Sequence, residues 1–414
     1  MKTGQAATAQ AGLRTRMFVA MCGPMVAAVC TLFVGVFLSV VLIARSWPLF
    51  VAIRHGRYLA DVRCPSPEEG PWPAVTVIVP ARDEESMISR CLESLSRQDY
   101  PNLEIVAVND RSTDGTGDKM DAVAASDDRV QVVRVNELPS GWLGKSYANK
   151  LGFERAAGDW LLFTDGDVLF REDCIRRAVS HAEAERLDHL ALFPELSKAG
   201  FWESAASCCF GVLYMAATRP WHARNPLRPD AFAGVGAFNL VRRSAYEAIG
   251  THDRLRMEIV DDLKLAKLIK RAGLSTDILG GRPHVCVRWQ VGLRGVVRGL
   301  EKNGFAGADF NVGRVIRVAS MLAVLALGPI AGALFAPTWW SRLPFVLCMC
   351  AEVAGFGLAA RSQGHRMTVG LVFPVAGLAM AWALLRSAFL TLRRGGVSWR
   401  DTFYSLDELR RGLV

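Results

Sequence analysis

The hydrophobic positions fall into three regimes along the chain. From Met17 to Ala44 no charged residue occurs, and at ~1.5 Å per helical residue such a run crosses a hydrocarbon core of about 30 Å. It predicts a retained transmembrane helix over 17–44 behind a tail of residues 1–16, because a signal peptide has a shorter apolar core and a small-residue cleavage site. In the middle, short β-branched runs alternate with amphipathic stretches. Val75 to Val79, Leu103 to Val108, Val130 to Val135 and Trp160 to Phe163 read as buried strands. Glu84 to Arg97 reads as a helix with Met87, Ile88, Cys91, Leu92 and Leu95 as its apolar positions. Strands alternating with helices predict an α/β fold with a doubly wound, mostly parallel sheet. The third regime, residues 318–392, holds three apolar spans: Val318 to Trp340, Leu343 to Ala360 and Met367 to Leu385. Their only carboxylate, Glu352, reads as protonated or paired within the bundle, with a functional role as the alternative.

The joints between these regimes are polar. Residues 45–73, containing CPSPEEGPWP, form a linker. The α/β domain covers 74–303, residues 304–317 form an interfacial segment, and 393–414 a basic tail. Phe201-Trp202 and Trp221 read as packing aromatics, an interfacial surface being the other reading. A hydrophobic share of 51% against 21% charged excludes disorder and argues against a wholly soluble protein. The net charge of +9 suits membrane headgroups or phosphorylated substrates, and without a basic stripe interleaved with aromatics nucleic acid is not an expected partner. Ten cysteines contain no CxxC pair, and their spacing fits neither zinc nor a disulfide framework. Arg45, Arg54, Arg57 and Arg63 after the first span, against Lys2, Arg14 and Arg16 before it, place the α/β domain in the cytoplasm. One span before the domain and three after it would put both termini outside, which conflicts with Arg393, Arg394, Arg400, Arg410 and Arg411 in the tail.

Ligands of such sheets bind beyond the carboxyl ends of the strands, so the candidate chemistry sits in three loops and two helix starts. Asp165-Gly166-Asp167 follows the strand WLLF; residues i and i+2 of an extended segment share a side, so both carboxylates can meet one hard cation. A surface turn is the alternative. Pro80-Ala81-Arg82-Asp83-Glu84 ends the first strand and can accept hydrogen bonds from a base or ribose, or simply cap a helix through Asp83. Asp110, in NDRSTDG, can accept from a nucleobase N–H or serve the turn. Lys145, in GWLGK, suits a diphosphate but also reads as a solvated lysine. Asp261-Asp262 opens a helix over Leu263 to Ala272 and can supply a general base or merely complement the helix dipole. The histidines show no ligand spacing.

Taken together, VTVIVPARDEE, IVAVNDRSTDGT, WLGKSYA, LLFTDGDV, GVGAFNLVRR and VDDLKLAKLIKRAG make the chain similar to the membrane-bound glycosyltransferase family 2, with the GT-A fold, over about Ala74 to Asn303. Within it the sequence resembles bacterial hopanoid-associated and carotenoid-type transferases. The resemblance implies that Pro80, Ala81, Arg82, Asp83, Glu84, Asp110, Lys145 and Asp165 bind a nucleotide sugar, UDP-hexose by analogy. It implies that Asp165 and Asp167 bracket the diphosphate and a divalent cation, Mg²⁺ or Mn²⁺, with Asp167 the direct ligand. Asp262 becomes the catalytic base with Asp261 beside it, and Gly236, Arg288 and Trp289 fall on the acceptor side. Processive and ceramide-type relatives carry Q/R-x-x-R-W, whereas here Val285 precedes Arg288-Trp289, which speaks against polymer synthesis.

The function so implied is inverting, metal-dependent transfer to a membrane lipid or lipid-linked hydroxyl at the bacterial inner membrane. A processive polysaccharide synthase and a catalytically silent membrane scaffold are the rival readings.

Overall fold

The computed structural model describes residues 25–44, 47–48, 50–51, 56–197, 200–288, 290, 292–400 and 402–414. The expected tail 1–16, the first part of the expected anchor, and Arg45 and Arg54 lie outside the described residues. Among the described residues the first helix is α1 (Met25–Ala44). The α/β domain then runs β1 (Val75–Ala81), α2 (Ile88–Ser96), β2 (Leu103–Asp110), α3 (Thr116–Ala124), β3 (Val130–Val135), α4 (Gly144–Arg155), β4 (Trp160–Phe163) and β5 (Leu169–Phe170). It continues with α5 (Cys174–Ala184), β6 (His189–Phe193), β7 (Glu195–Leu196), α6 (Phe201–Thr218), β8 (Asn239–Arg242), α7 (Arg243–Ala248), α8 (Asp261–Arg271), β9 (Thr276–Gly280) and β10 (Val285–Val287). The membrane-side part comprises α9 (Gly292–Ala306), α10 (Val312–Phe335), α11 (Trp339–Ser362) and α12 (Phe373–Arg394). A hairpin, β11 (Gly396–Trp399) and β12 (Thr402–Ser405), and α13 (Leu406–Arg411) end it.

Seven strands form one sheet in the order β3-β2-β1-β4-β8-β6-β9. β1, β2, β3 and β4 are mutually parallel, as the apolar β-branched runs predict, while β8 is antiparallel to both β4 and β6. The register aligns Ile78 with both Val106 and Phe163, so β1, β2 and β4 finish along one edge. Val77, Val79, Ile105 and Leu162 pack with Ile88, Cys91, Leu92 and Leu95 of α2 on one face. Ile78, Leu161 and Phe163 pack with Tyr246, Leu265 and Ile269 on the other. Burial on both faces is why these strands are apolar throughout instead of alternating.

The helix expected from Glu84 begins only at Ile88. The amides of Asp83, Glu84 and Glu85 donate instead to Ser112 Oγ, Thr116 Oγ1 and Asp114 Oδ2 across the β2–α3 loop, at 3.1, 2.8 and 3.2 Å. Amides at a helix start have no intrahelical partner, so these cross-loop bonds cap the segment, and Met87 N and Ile88 N, both donating to Glu84 O at 3.0 Å, turn the chain into α2. The reading of Phe201 and Trp202 as packing aromatics is also corrected, for they are 42% and 50% exposed at the start of α6.

α1, α10, α11 and the segment Met367–Arg394 are each long and apolar enough to cross a membrane. Val315 at the start of α10 and Ala388 near the end of α12 share one buried cluster with Leu143, Met257, Tyr404 and Leu409. Both ends of the apolar helical bundle therefore meet the α/β domain. Between them Gly357 and Gly370 pack backbone against backbone where a short helical turn, Met367–Val372, doubles back along α11. Adding a Cβ at either glycine would strike the other strand's main chain. The domain-facing ends of α10 and α12 thus lie together, with Met367–Val372 packed back along α11.

Candidate active site

The edge where β1, β2 and β4 end is also where α4 and α8 begin, and it opens into a cavity of about 1570 Å³. Pro80, Ala81, Arg82, Glu84, Asp110, Lys145, Asp165, Asp167, Gly236, Asp261 and Asp262 all line it. Asp83 does not. Its backbone is left-handed, with φ 54°, and its carboxylate accepts from the Thr113 amide at 2.8 Å, tying the β1 and β2 loops together.

Lys145, in the first turn of α4, stands at the centre. Its Nζ is 2.6 Å from Asp165 Oδ1 and 3.7 Å from Asp261 Oδ1. Burial disfavours its charge, but Asp165, Asp261 and Asp262 outweigh that and raise its pKa. Two glycines give the charged groups room. A Cβ on Gly144 would collide with the Asp110 carboxylate, which is buried and accepts from Arg111 Nε at 2.8 Å. A Cβ on Gly236 would sit 2.5 Å from Asp165 Oδ2 and 3.4 Å from Asp262 Oδ2, in the gap between the two acids.

The two acids that open α8 diverge in character. Burial raises Asp261, but Lys145 and His252 more than reverse this and keep its pKa below the usual carboxylate range. Its Oδ2 receives Asn149 Nδ2 at 3.3 Å and lies 3.6 Å from His252 Nε2. His252 is itself fixed by Tyr246 OH, 2.6 Å from Nδ1. Burial and the neighbouring Asp261 and Asp165 push Asp262 up to about 6, although Lys145 opposes them. Asp167 is pushed up to about 7 by burial, then by Asp165 and Glu84. Paired acids whose surroundings drive their pKa values apart are a pattern of acid–base sites.

On the acceptor side, Arg288 is not among the cavity-lining residues. Its guanidinium lies 3.3 Å from Glu203 on α6, a carboxylate that also accepts from the Gly292 amide at 2.6 Å. This ion pair fastens the β10–α9 connection to α6. Trp289 lies outside the described residues. Sequence reasoning missed Lys302, Trp399, Arg400 and Tyr404, which line the same cavity from α9 and the C-terminal hairpin. Nothing local marks them as site residues, for only the return of α12 brings them to the sheet edge.

Comparison with known proteins agrees with this geometry. Residues 76–250 match the family model Glycosyl transferase family 2. The chain carries a domain of this family and is a glycosyltransferase. The 4,4'-diaponeurosporenoate glycosyltransferases of Staphylococcus aureus strains MRSA252 and USA300 are each 26% identical over 264 residues, 63% of this chain and 68% of theirs. The solved structure of the mannosyltransferase PcManGT from Pyrobaculum calidifontis, in complex with GDP-Man and Mn²⁺, covers 89% of this chain and 99% of its own at a TM-score of 0.53 and 20% identity. That likeness establishes the GT-A fold.

Proposed function

We propose that the protein transfers a hexose from a nucleotide sugar, UDP-hexose by the resemblance of its motifs, to a membrane lipid hydroxyl with inversion at the anomeric carbon. The observation that carries this is one continuous cavity. It runs from the acidic cluster to Phe210 and Leu213 of α6, Val318 and Met321 of α10, and Met380 and Leu384 of α12. Its volume exceeds the range of about 300–1,000 Å³ usual for single small ligands, and its far end is lined by helices apolar enough for a bilayer. A polar donor and an apolar acceptor tail thus find their separate surroundings within one site. The names of the carotenoid relatives and of the GDP-Man complex support a lipid-type acceptor and a nucleotide-sugar donor.

The residues divide the work by charge. Asp110 and the backbone of the Pro80–Glu84 loop face the nucleoside, and Lys145 faces the diphosphate. Asp262 accepts the proton of the attacking hydroxyl; one base on the face opposite the leaving group gives inversion. Asp261, held ionised by Lys145, Asn149 and His252, keeps Lys145 beside the leaving group. Asp165 and Asp167 offer carboxylate oxygens of the kind hard divalent cations take and would hold the cation. Among the described residues no three His, Cys, Asp or Glu side chains are placed to hold a metal by themselves, so phosphate oxygens of the donor would have to complete the coordination. When bound, Mg²⁺ or Mn²⁺ supplies charge neutralisation on the departing diphosphate.

The bundle returns to the catalytic domain, so the tail arginines share its side with Arg57 and Arg63. This agreement favours a cytoplasmic face on the bacterial inner membrane. The test is to incubate the purified protein with labelled UDP-hexoses or GDP-mannose, Mg²⁺ or Mn²⁺, and bacterial lipid extract. Label in a single-sugar lipid adduct is expected. Label confined to water-soluble glycans, or in long polymer, overturns the lipid reading.

A further inference from the structure

Two cations reach the candidate donor site from outside the family domain. Lys302 lies on α9 and Arg400 at the tip of the β11–β12 hairpin, and both line the cavity with Lys145, Asp165 and Asp167. The hairpin is firmly placed. Val397 and Tyr404 are buried in a cluster with Leu143, just before α4, and with Leu406 and Leu409 of α13. Leu406 N also donates to Gly395 O at 2.8 Å, closing the hairpin's base.

The two cations are held differently. Arg400 Nη2 lies 2.8 Å from Glu84 Oε1, so the hairpin tip is linked to the loop that ends β1. Lys302 Nζ stands 3.5 Å from the centre of the Trp399 ring. Among the described residues no carboxylate lies within ion-pair distance of it. Lys145, by contrast, is engaged by Asp165 and Asp261. Glu84, Asp110, Asp165, Asp167, Asp261 and Asp262 stand on the walls, so a polyphosphate among them is favoured by each further positive charge beyond those already paired with the acids. Lys302, stacked on an aromatic face and facing the same space, can supply that charge without first breaking an ion pair.

We propose that Lys302 and Arg400 form a second diphosphate-binding arm, so that the donor's phosphates are gripped between Lys145 on the sheet side and the α9–hairpin pair on the membrane side. The proposal rests on the nucleotide-sugar reading given above. Trp399 acts as a positioning residue, setting the Lys302 ammonium by a cation–π contact. The nucleoside end is faced by Asp110 and by the backbone of the β1 loop, to which Arg400 binds only through the Glu84 side chain.

Binding of UDP, GDP and their monophosphates to the full chain in detergent, with Mg²⁺ present, tests this by calorimetry. The double variant K302Q/R400Q is expected to weaken the better-bound diphosphate about tenfold or more, as for lost charge-assisted contacts, and to leave the corresponding monophosphate unchanged. W399L, which keeps both charges, is expected to show a smaller loss of the same selectivity. Undiminished diphosphate affinity in the double variant, or an equal loss for mono- and diphosphate, overturns the proposal. Wild-type protein that binds neither diphosphate overturns the nucleotide-sugar reading along with it.

Discussion

Lys145 Nζ lies 2.6 Å from Asp165 Oδ1, joining the first turn of α4 to the loop after β4. Two loops that are twenty residues apart in sequence are thereby fixed as one charged surface, with Asp261 on the same ammonium at 3.7 Å. Replacing Lys145 by Gln leaves Asp165 and Asp261 facing each other without compensation. Steady-state kinetics should show kcat/KM reduced by about 10²-fold or more, the scale for removing one preorganised electrostatic partner. A reduction of less than about threefold would show that the lysine is not part of the donor site.

Asp262 is assigned the proton, and Asp262→Asn preserves shape while removing basicity. Donor affinity should stay near wild type while kcat falls by about 10²–10⁴-fold, the usual range for a general base. Equal losses in donor binding and turnover would point to a structural role instead.

The same carboxylate gives a pH dependence whose sign is fixed. Burial and the adjacent acids hold Asp262 up at about 6, and only its deprotonated form accepts a proton. Activity should therefore rise with pH through about 6 and reach a plateau above it. The acidic limb of the kcat/KM profile, which reports groups of the free enzyme, measures this, and it should be absent from the residual activity of the Asp262→Asn variant. A wild-type kcat/KM flat from pH 5 to 8 would remove the base from this position, the interval reaching about one pH unit below and about two above such a pKa.

Gly236 should not tolerate a methyl group. A Cβ there enters the space between Asp165 and Asp262, so Gly236→Ala should reduce turnover strongly with little change in melting temperature. The backbone at this position is not left-handed, and the effect is therefore steric at the site and not a strain on the fold. Parallel activity and thermal-melt measurements separate the two.

Stability should carry its own pH signature, from His189. This ring is fully buried between Thr276 Oγ1 at 2.7 Å and Asn239 Oδ1 at 3.1 Å, and burial holds it down at about 4. An unfolded histidine titrates near 6.5, so the unfolded chain binds the proton first. Stability is then full above about 6.5 and is lost progressively as pH falls towards 4. Denaturant melts at pH 7.5 and 5 should differ by up to a few kcal/mol, about 1.4 kcal/mol per pH step being the ceiling for one group. His189→Gln should lessen the difference.

Much of the catalytic half was legible from local pattern. Val130–Val135 and Trp160–Phe163 are strands over the residues their apolar runs predict; burial on both sheet faces imposes a continuous apolar signature on Trp160–Phe163, whereas the edge strand Val130–Val135 leaves Gln131 and Arg134 exposed. Strand ends in a parallel sheet are ligand sites by topology, so Asp110, Asp165 and Asp167 could be singled out before any coordinates. The start of α2 was not legible. Asp83, Glu84 and Glu85 look like a helix start, but their amides are taken by Ser112, Thr116 and Asp114 from a loop that only the fold brings near.

The membrane side shows the same division more sharply. Hydropathy determined by itself that one apolar helix precedes the domain and three follow, since length and composition suffice to match a bilayer. It could not determine where those helices lead. The doubling-back at Gly357 and Gly370, the docking of Tyr404 beside Leu143 and the arrival of Lys302 and Arg400 at the acidic cluster all depend on contacts between residues distant in sequence. Periodicity records which face of an element is buried, but the partner that buries it is chosen by packing among whole elements, and that choice the tertiary structure alone makes.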